Sequence, residues 1–390
     1  VKDAALPLAL LSAAAFVSSG SMRMLDPVLH LIATDLATTV ARASGLVAAF
    51  ALPYGLMQIV FGPVGDRFGK LPVLGGALGA FAITSAICAT ASSLPMLELL
   101  RGFSGAAAAG IIPVCLAYIG DHTPYETRQA TIAKFLTGIV LAQVLAAPLG
   151  GVVGELFGWR PLFLILGAAS FVVSLLLWRA RATAPEAPAG SGRLSLAPYA
   201  RVLGRPAGRF VALAAIADGA SLFGPTPFLG AHLHETYGLS YAAAGLVLAL
   251  VGVGSFTYTR AAPRLLAALG ERGLVTVGGV AIAASYALIG IVPHWGYAAA
   301  LIAALGLAFF MLHGTMQVRA TEAAPDARTT AVAMFAAMLF LGQAAGALVI
   351  GTLIGAFGYA AGFIAAAISV LALTLWLRTR FSRPMAGSAA

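Results

Sequence analysis

Charge is what this sequence has least of. Asp, Glu, Lys and Arg make up 9% of its 390 residues, where a soluble domain carries about 25%. A deficit of that size excludes a soluble α/β enzyme. Cysteine is almost absent as well. Cys88 and Cys115 are too few for a disulfide framework or a thiolate metal site, and both read as small packing residues. No Walker loop, HExxH pair, nucleophile elbow or CxxC is present, so the common routes to phosphate, metal and acyl chemistry have no foothold. Neither a resident metal nor a cofactor is expected, and Asp121, His122 and Glu126 read as a solvated loop.

Hydrocarbon takes the place of charge. Hydrophobic residues account for 60% of the chain, with a mean hydropathy of +0.95. Apolar stretches near twenty residues recur along its length, each about enough to cross roughly 30 Å of hydrocarbon. Twelve spans are predicted: 6–31, 43–64, 72–92, 95–119, 129–154, 160–180, 210–232, 242–263, 273–293, 296–318, 328–353 and 358–378. The first stretch is too long for a signal peptide and carries no small-residue cleavage pattern. An all-α, polytopic membrane protein follows.

The cations fix a predicted orientation. With the N-terminus in the cytoplasm, nineteen of the 23 Lys and Arg fall on the cytoplasmic face. Only Arg42 and Arg160 fall on the other, and Arg23 and Arg101 lie within spans. This bias obeys the positive-inside rule and puts both termini in the cytoplasm. The formal charge of +9 is thus a signal of topology and lipid contact, not a nucleic-acid footprint.

A repeat runs through the chain at an offset of 200 residues. Gly45-Leu46-Val47 returns as Gly245-Leu246-Val247, and Pro27 as Pro227. Arg128, Phe135, Gln143, Gly151 and Phe157-Gly158 return as Arg328, Phe335, Gln343, Gly351 and Phe357-Gly358. The Pro-, Gly-, Ser- and Arg-rich stretch 181–209 reads as a cytoplasmic linker between two six-helix bundles, 1–180 and 210–390. Duplicated bundles with a site at their interface are the architecture of alternating access.

The loop GPVGDRFGKLPVL (62–74) resembles the signature between the second and third helices of the major facilitator superfamily. Gly62, Asp66, Arg67, Gly69 and Lys70 match it; its C-terminal counterpart, APRLLAALGERG (262–273), is degraded. LLRGFSGAAAAG (99–110) looks like the span-four signature of that family's proton-driven drug antiporters. AQVLAAPLGGVVGELFGWR (142–160) is similar to their span-five motif, keeping Pro148 but with Ala147 where the motif has Gly. The resemblance covers all twelve spans. It implies a monomeric, bacterial-type inner-membrane transporter whose halves rock about a central cavity lined by spans one, four, seven and ten. The signature loop and Pro148 would serve the gating.

Against that background the ionisable residues within spans stand out, because each costs about 2.5–3.5 kcal/mol at a bilayer centre on insertion scales. Arg23, Asp26 and His30 share one helical face at i, i+3 and i+7. Glu98 and Arg101 repeat the i, i+3 spacing in span four. A carboxylate facing an arginine stays ionised; parted from it in a dry site it takes up a proton. Asp26 and Arg101 are therefore predicted to couple transport to protons. Asp218 and His313 have similar depths in spans seven and ten and are expected to meet, with Gln317 as the alternative partner for His313. Arg23, His30, Gln143, Gln343, Gln317 and Phe223 are the candidate substrate contacts. The expected activity is proton-coupled efflux of a small amphipathic solute, driven by the proton gradient. The alternative is a proton-coupled uptake symporter or an uncoupled facilitator.

Overall fold

A computed structural model describes residues 5–181, 197–324 and 327–380. The apolar runs fold as helices: α1 (Ala5–Arg23), α2 (Leu29–Asp35), α3 (Val40–Ala43), α4 (Gly45–Phe68), α5 (Lys70–Cys88), α6 (Leu94–Ala108), α7 (Ile111–His122), α8 (Tyr125–Phe157) and α9 (Arg160–Arg181). After these come α10 (Ala197–Gly204), α11 (Pro206–Asp218), α12 (Pro227–Tyr237), α13 (Tyr241–Leu248), α14 (Leu250–Ile289), α15 (Trp295–Glu322) and α16 (Arg328–Arg380). Lipid dictates this, because a backbone group with no water to bond must be satisfied within its own segment.

Among the described residues, ten helical runs are long and apolar enough to cross a membrane. Eight have single-pass lengths. The other two, Tyr241–Ile289 with 49 residues and Thr330–Arg380 with 51, each join two of the predicted spans. What separates the members of each pair is one residue: Gly270 (φ 62°, ψ 176°) in α14 and Gly358 (φ 83°, ψ 173°) in α16. Side chains rarely tolerate that φ, so glycine is where a helix can turn back without a loop. Gly158, the repeat counterpart of Gly358, has φ 81° and ψ 176° and parts α8 from α9. The first run also differs from expectation by continuing to Asp35 rather than residue 31. Asp26 thereby sits well inside a crossing instead of near its end.

Two apolar cores form. One gathers Leu78, Phe81, Phe135, Trp159 and Phe163; the other gathers Val275, Ile282, Tyr286, Phe335 and Phe363. Leu29, Ala33, Val40, Ala43 and Ala147 pack with the second core, so the two sets of helices touch. Of the expected linker, residues 182–196 lie outside the described residues. The remainder forms α10, whose Val202 packs against Ala212, Ala324, Ala331 and Met334.

The contact between the two sets has a repeated design. A Cβ on Gly151 would overlap the Tyr241 carbonyl, and one on Gly351 would strike the Ser44 hydroxyl and the Ala41 carbonyl. Both partners in these contacts are 200 residues apart, so this is one contact made twice. Gly55 against Ala337, Gly245 against Ala147 and Gly252 against Val144 extend it. The two sets of helices close on each other at the end bearing Arg42 and Arg160.

Candidate functional site

Two crossings are interrupted where they meet. Pro27 has no N–H to continue α1, and the chain passes through the 3-10 turn Asp26–Val28 before α2 begins. At the repeat-equivalent place α11 ends in the π-helical turn Gly219–Phe223, Pro225 follows, and Pro227 opens α12. A Cβ on Gly230 of α12 would overlap the Asp26 carbonyl, so these breaks lie against each other. Broken helices at a repeat interface are the usual setting of a transporter's binding site.

Between the two sets of helices lies a small cavity, partly open to bulk. Asp26, Arg101 and Gln343 line it, with Met22, Leu46, Phe50 and Pro227 among its apolar walls. All three polar groups are buried; Asp26 is 6% exposed, Arg101 3% and Gln343 6%. Asp26 pairs with Arg23, Nη1 to Oδ2, at 3.4 Å. The same Nη1 donates to Thr226 Oγ1 across the interface at 2.9 Å, and the guanidinium lies 5.7 Å from the centre of the Phe223 ring. Arg23 therefore touches the repeat counterparts of Asp26 and of itself.

Arg101 departs from expectation. It shares the cavity with Asp26, yet no carboxylate among the described residues stands within 4.0 Å of it. Its one hydrogen bond is long, Nη2 to the Ser21 carbonyl at 3.4 Å, and its Nε has no partner. The Phe50 ring lies 4.1 Å beneath the guanidinium. Glu98 turns toward Gly45 of α4 and is not among the residues lining the cavity.

Asp218 and His313 do meet: His313 Nδ1 lies 2.6 Å from Asp218 Oδ2. Asp218 is 0% exposed, and its second oxygen is unpartnered. Phe309 and Phe335 flank the imidazole at 5.0 and 5.8 Å between ring centres. Phe223 also packs on it at 5.5 Å, so this ring bridges Arg23 and His313. Gln317 is exposed and takes no part; the Asp218 contact consumes the imidazole's Nδ1 instead. Gln143 is likewise exposed rather than buried like its counterpart Gln343.

His30 lies outside the cavity, in the closed end. Its Nδ1 is 3.1 Å from the Tyr241 hydroxyl and its Nε2 is 3.7 Å from Glu235. The His234 ring stands 4.7 Å away. Glu155 of α8 accepts from the Ala242 N–H of α13 at 2.8 Å. Sequence reasoning missed Thr226, His234, Glu235 and Glu155, although Thr226 was marked by its place opposite Asp26 in the repeat.

The signature loop acts within one set of helices. Gly69 (φ 87°) separates α4 from α5. Lys70 pairs with Asp66 at 3.3 Å and with Asp121 of α7, so Asp121 is more than a solvated loop residue. Arg67 is exposed and rests on the Phe68 ring, and Gly62 is exposed. Pro148 packs against Gly245 of α13.

Comparison with known proteins places these features in a family. The sequence model described as Major Facilitator Superfamily matches residues 11–335 and again residues 211–389. A chloramphenicol resistance protein of Streptomyces lividans is 29% identical, covering 90% of this chain and 89% of its own length. An MFS-type transporter of Bacillus subtilis (strain 168) is 25% identical over 93% of both. Among solved structures, a bacterial homologue of the human lysosomal transporter Spinster superposes with a TM-score of 0.78 at 21% identity, covering 96% of each chain. The likeness to that structure is one of fold.

Proposed function

Because the chain belongs to the major facilitator superfamily, we propose that it carries a small amphipathic solute by alternating access, with Asp26 as its proton site. It is a multi-pass membrane transporter rather than an enzyme, embedded in lipid. The single observation that supports the coupling is that Asp26, Arg101 and Gln343 line one cavity between the two sets of helices.

The chain makes twelve crossings on this reading. An unbroken helix of 49 residues would reach about 74 Å at about 1.5 Å per residue, over twice the hydrocarbon thickness. Division at Gly270 and Gly358 restores single-pass lengths. Residues 1–180 and 210–390 are then the two rocking bodies, with both termini in the cytoplasm and a monomer as the working unit. The Asp66–Lys70–Asp121 cluster holds the ends of α4, α5 and α7 together as their body moves. Gly62, Arg67 and Gly69 shape that turn, and Pro148 seats α8 on α13. Asp218 and His313 form a second proton-bearing pair in the C-terminal body.

For direction, the cavity favours the alternative over exchange. Asp26 is engaged by Arg23 while Arg101 and Gln343 remain available, so solute and proton can be held together, as symport requires. Exchange needs the two to compete for one group. Export is the second reading, and the relative that confers chloramphenicol resistance is what favours it. Proteoliposomes with an imposed pH gradient, loaded with a panel of fluorescent amphipathic solutes, separate the two. Protons entering with solute, and no such entry in Asp26→Asn, support symport. Protons moving against solute would establish exchange, and solute flux without protons would remove the coupling role of Asp26.

A further inference from the structure

The polar groups of the cavity do not balance. Two guanidiniums, Arg23 and Arg101, face it or its wall, against one carboxylate, Asp26, and that carboxylate is within pairing distance of Arg23 only. Glu98, the other acid on α6, turns to Gly45. Asp218 is turned to His313. Arg101 is thus a buried cation, 3% exposed, with an unpartnered Nε and one stretched hydrogen bond. Phe50 covers a face of the guanidinium, and a ring face satisfies charge but accepts no N–H along the guanidinium edge. An uncompensated buried charge is among the more costly features a protein can keep, and in a crossing helix such a residue is retained for what it binds.

On the transport reading above, we infer that the substrate is a small organic acid whose carboxylate docks on Arg101. The planar fork of arginine matches a carboxylate with two parallel hydrogen bonds. Met22, Leu25, Leu29 and Leu46 give the remainder of the cavity an apolar lining for the solute's body. Gln343, on the opposite set of helices, can donate to a second oxygen, which ties the bound acid to both bodies. The acid also brings Arg101 the anionic partner that it lacks.

The test uses the intact protein in lipid nanodiscs and calorimetric titration with straight-chain and aryl carboxylates, each beside its primary amide and its amine. The acids are expected to bind about tenfold or more tighter than their amides, since charge-assisted pairs are roughly twice as strong as neutral ones. Arg101→Met should erase that preference while retaining amide binding. Arg101→Lys, which keeps the charge but loses the fork, should keep a preference for acids at reduced affinity. Wild-type protein that binds amides or amines as well as acids overturns the inference and leaves the transport reading standing. So does Arg101→Met with its preference intact. Absence of binding across all three panels overturns both.

Discussion

Asp218 and His313 show what one buried pair demands of its surroundings. Asp218 already leaves one oxygen without a partner, so His313 supplies all the side-chain compensation the carboxyl has. His313→Ala removes it and should destabilise by about 3–5 kcal/mol, the range for breaking a buried pair from one side. The effect would be seen as a lower apparent unfolding temperature of the detergent-solubilised protein. The repeat supplies the control. Ser18 and Pro113 stand at the equivalent places in the N-terminal half, so the architecture does not require the pair. Asp218→Ser combined with His313→Leu should therefore unfold close to wild type, and a double variant as unstable as His313→Ala would show that the pair is not what the site depends on. A smaller effect is expected at Thr226, which takes the cross-interface bond from Arg23. Thr226→Val should loosen the closed end by about 1.5–3 kcal/mol, the usual worth of a hydrogen bond to a charged group. Spin labels spanning that end would report longer distances; an unchanged distribution would mean that Arg23 serves only Asp26.

Among the helices, the neighbouring glycines of α8 separate folding from movement. Gly150 faces the carbonyl of Met24, just past α1, within one body, and Gly151 faces the Tyr241 carbonyl, across the interface. Gly150→Val should reduce the unfolding temperature, because overpacking typically costs about 1–3 kcal/mol. Gly151→Val should leave stability nearly intact and slow transport, since the halves can separate to relieve the clash but can no longer close. Equal stability loss in the two variants would show that both contacts belong to the fold. Much at this level was legible in the sequence. The repeat located Pro27 and Pro227, where the crossings break, and Gly158 and Gly358, where the chain reverses. Other features were hidden because the physics conserves geometry rather than identity. The C-terminal loop looks degraded, yet Glu271 and Arg319 join α14 to α15 at 2.5 Å much as Lys70 and Asp121 join α5 to α7, with the charges exchanged. Burial was hidden too. Gln143 and Gln343 are equivalent in sequence, but one is exposed and the other lines the cavity, and the pattern within a single helix does not encode what neighbouring helices cover.

For the whole molecule, the proposed alternating access requires the closed end, where the two sets of helices meet, to part during the cycle. The repeated contact gives a way to forbid that parting. A Cβ on Gly355 would come within 2.9 Å of the Ala41 Cβ, closer than the roughly 3.5–4.5 Å that a disulfide spans, so a slight parting of the two segments brings the pair into bonding range. Ala41 belongs to the segment before α4 and Gly355 to α16, so a bond between them would pin the two bodies at the closed end. Cys88 and Cys115 are both fully buried and should not compete in mild oxidation. The double variant Ala41→Cys with Gly355→Cys is expected to cross-link readily, to lose transport on oxidation and to recover it with reductant. Solute binding should survive, because the cavity residues Asp26, Arg101 and Gln343 lie clear of the bond. A cross-linked protein that still transports would mean the closed end never opens in the cycle, and the rocking of two bodies would have to give way to a permanent path through the cavity.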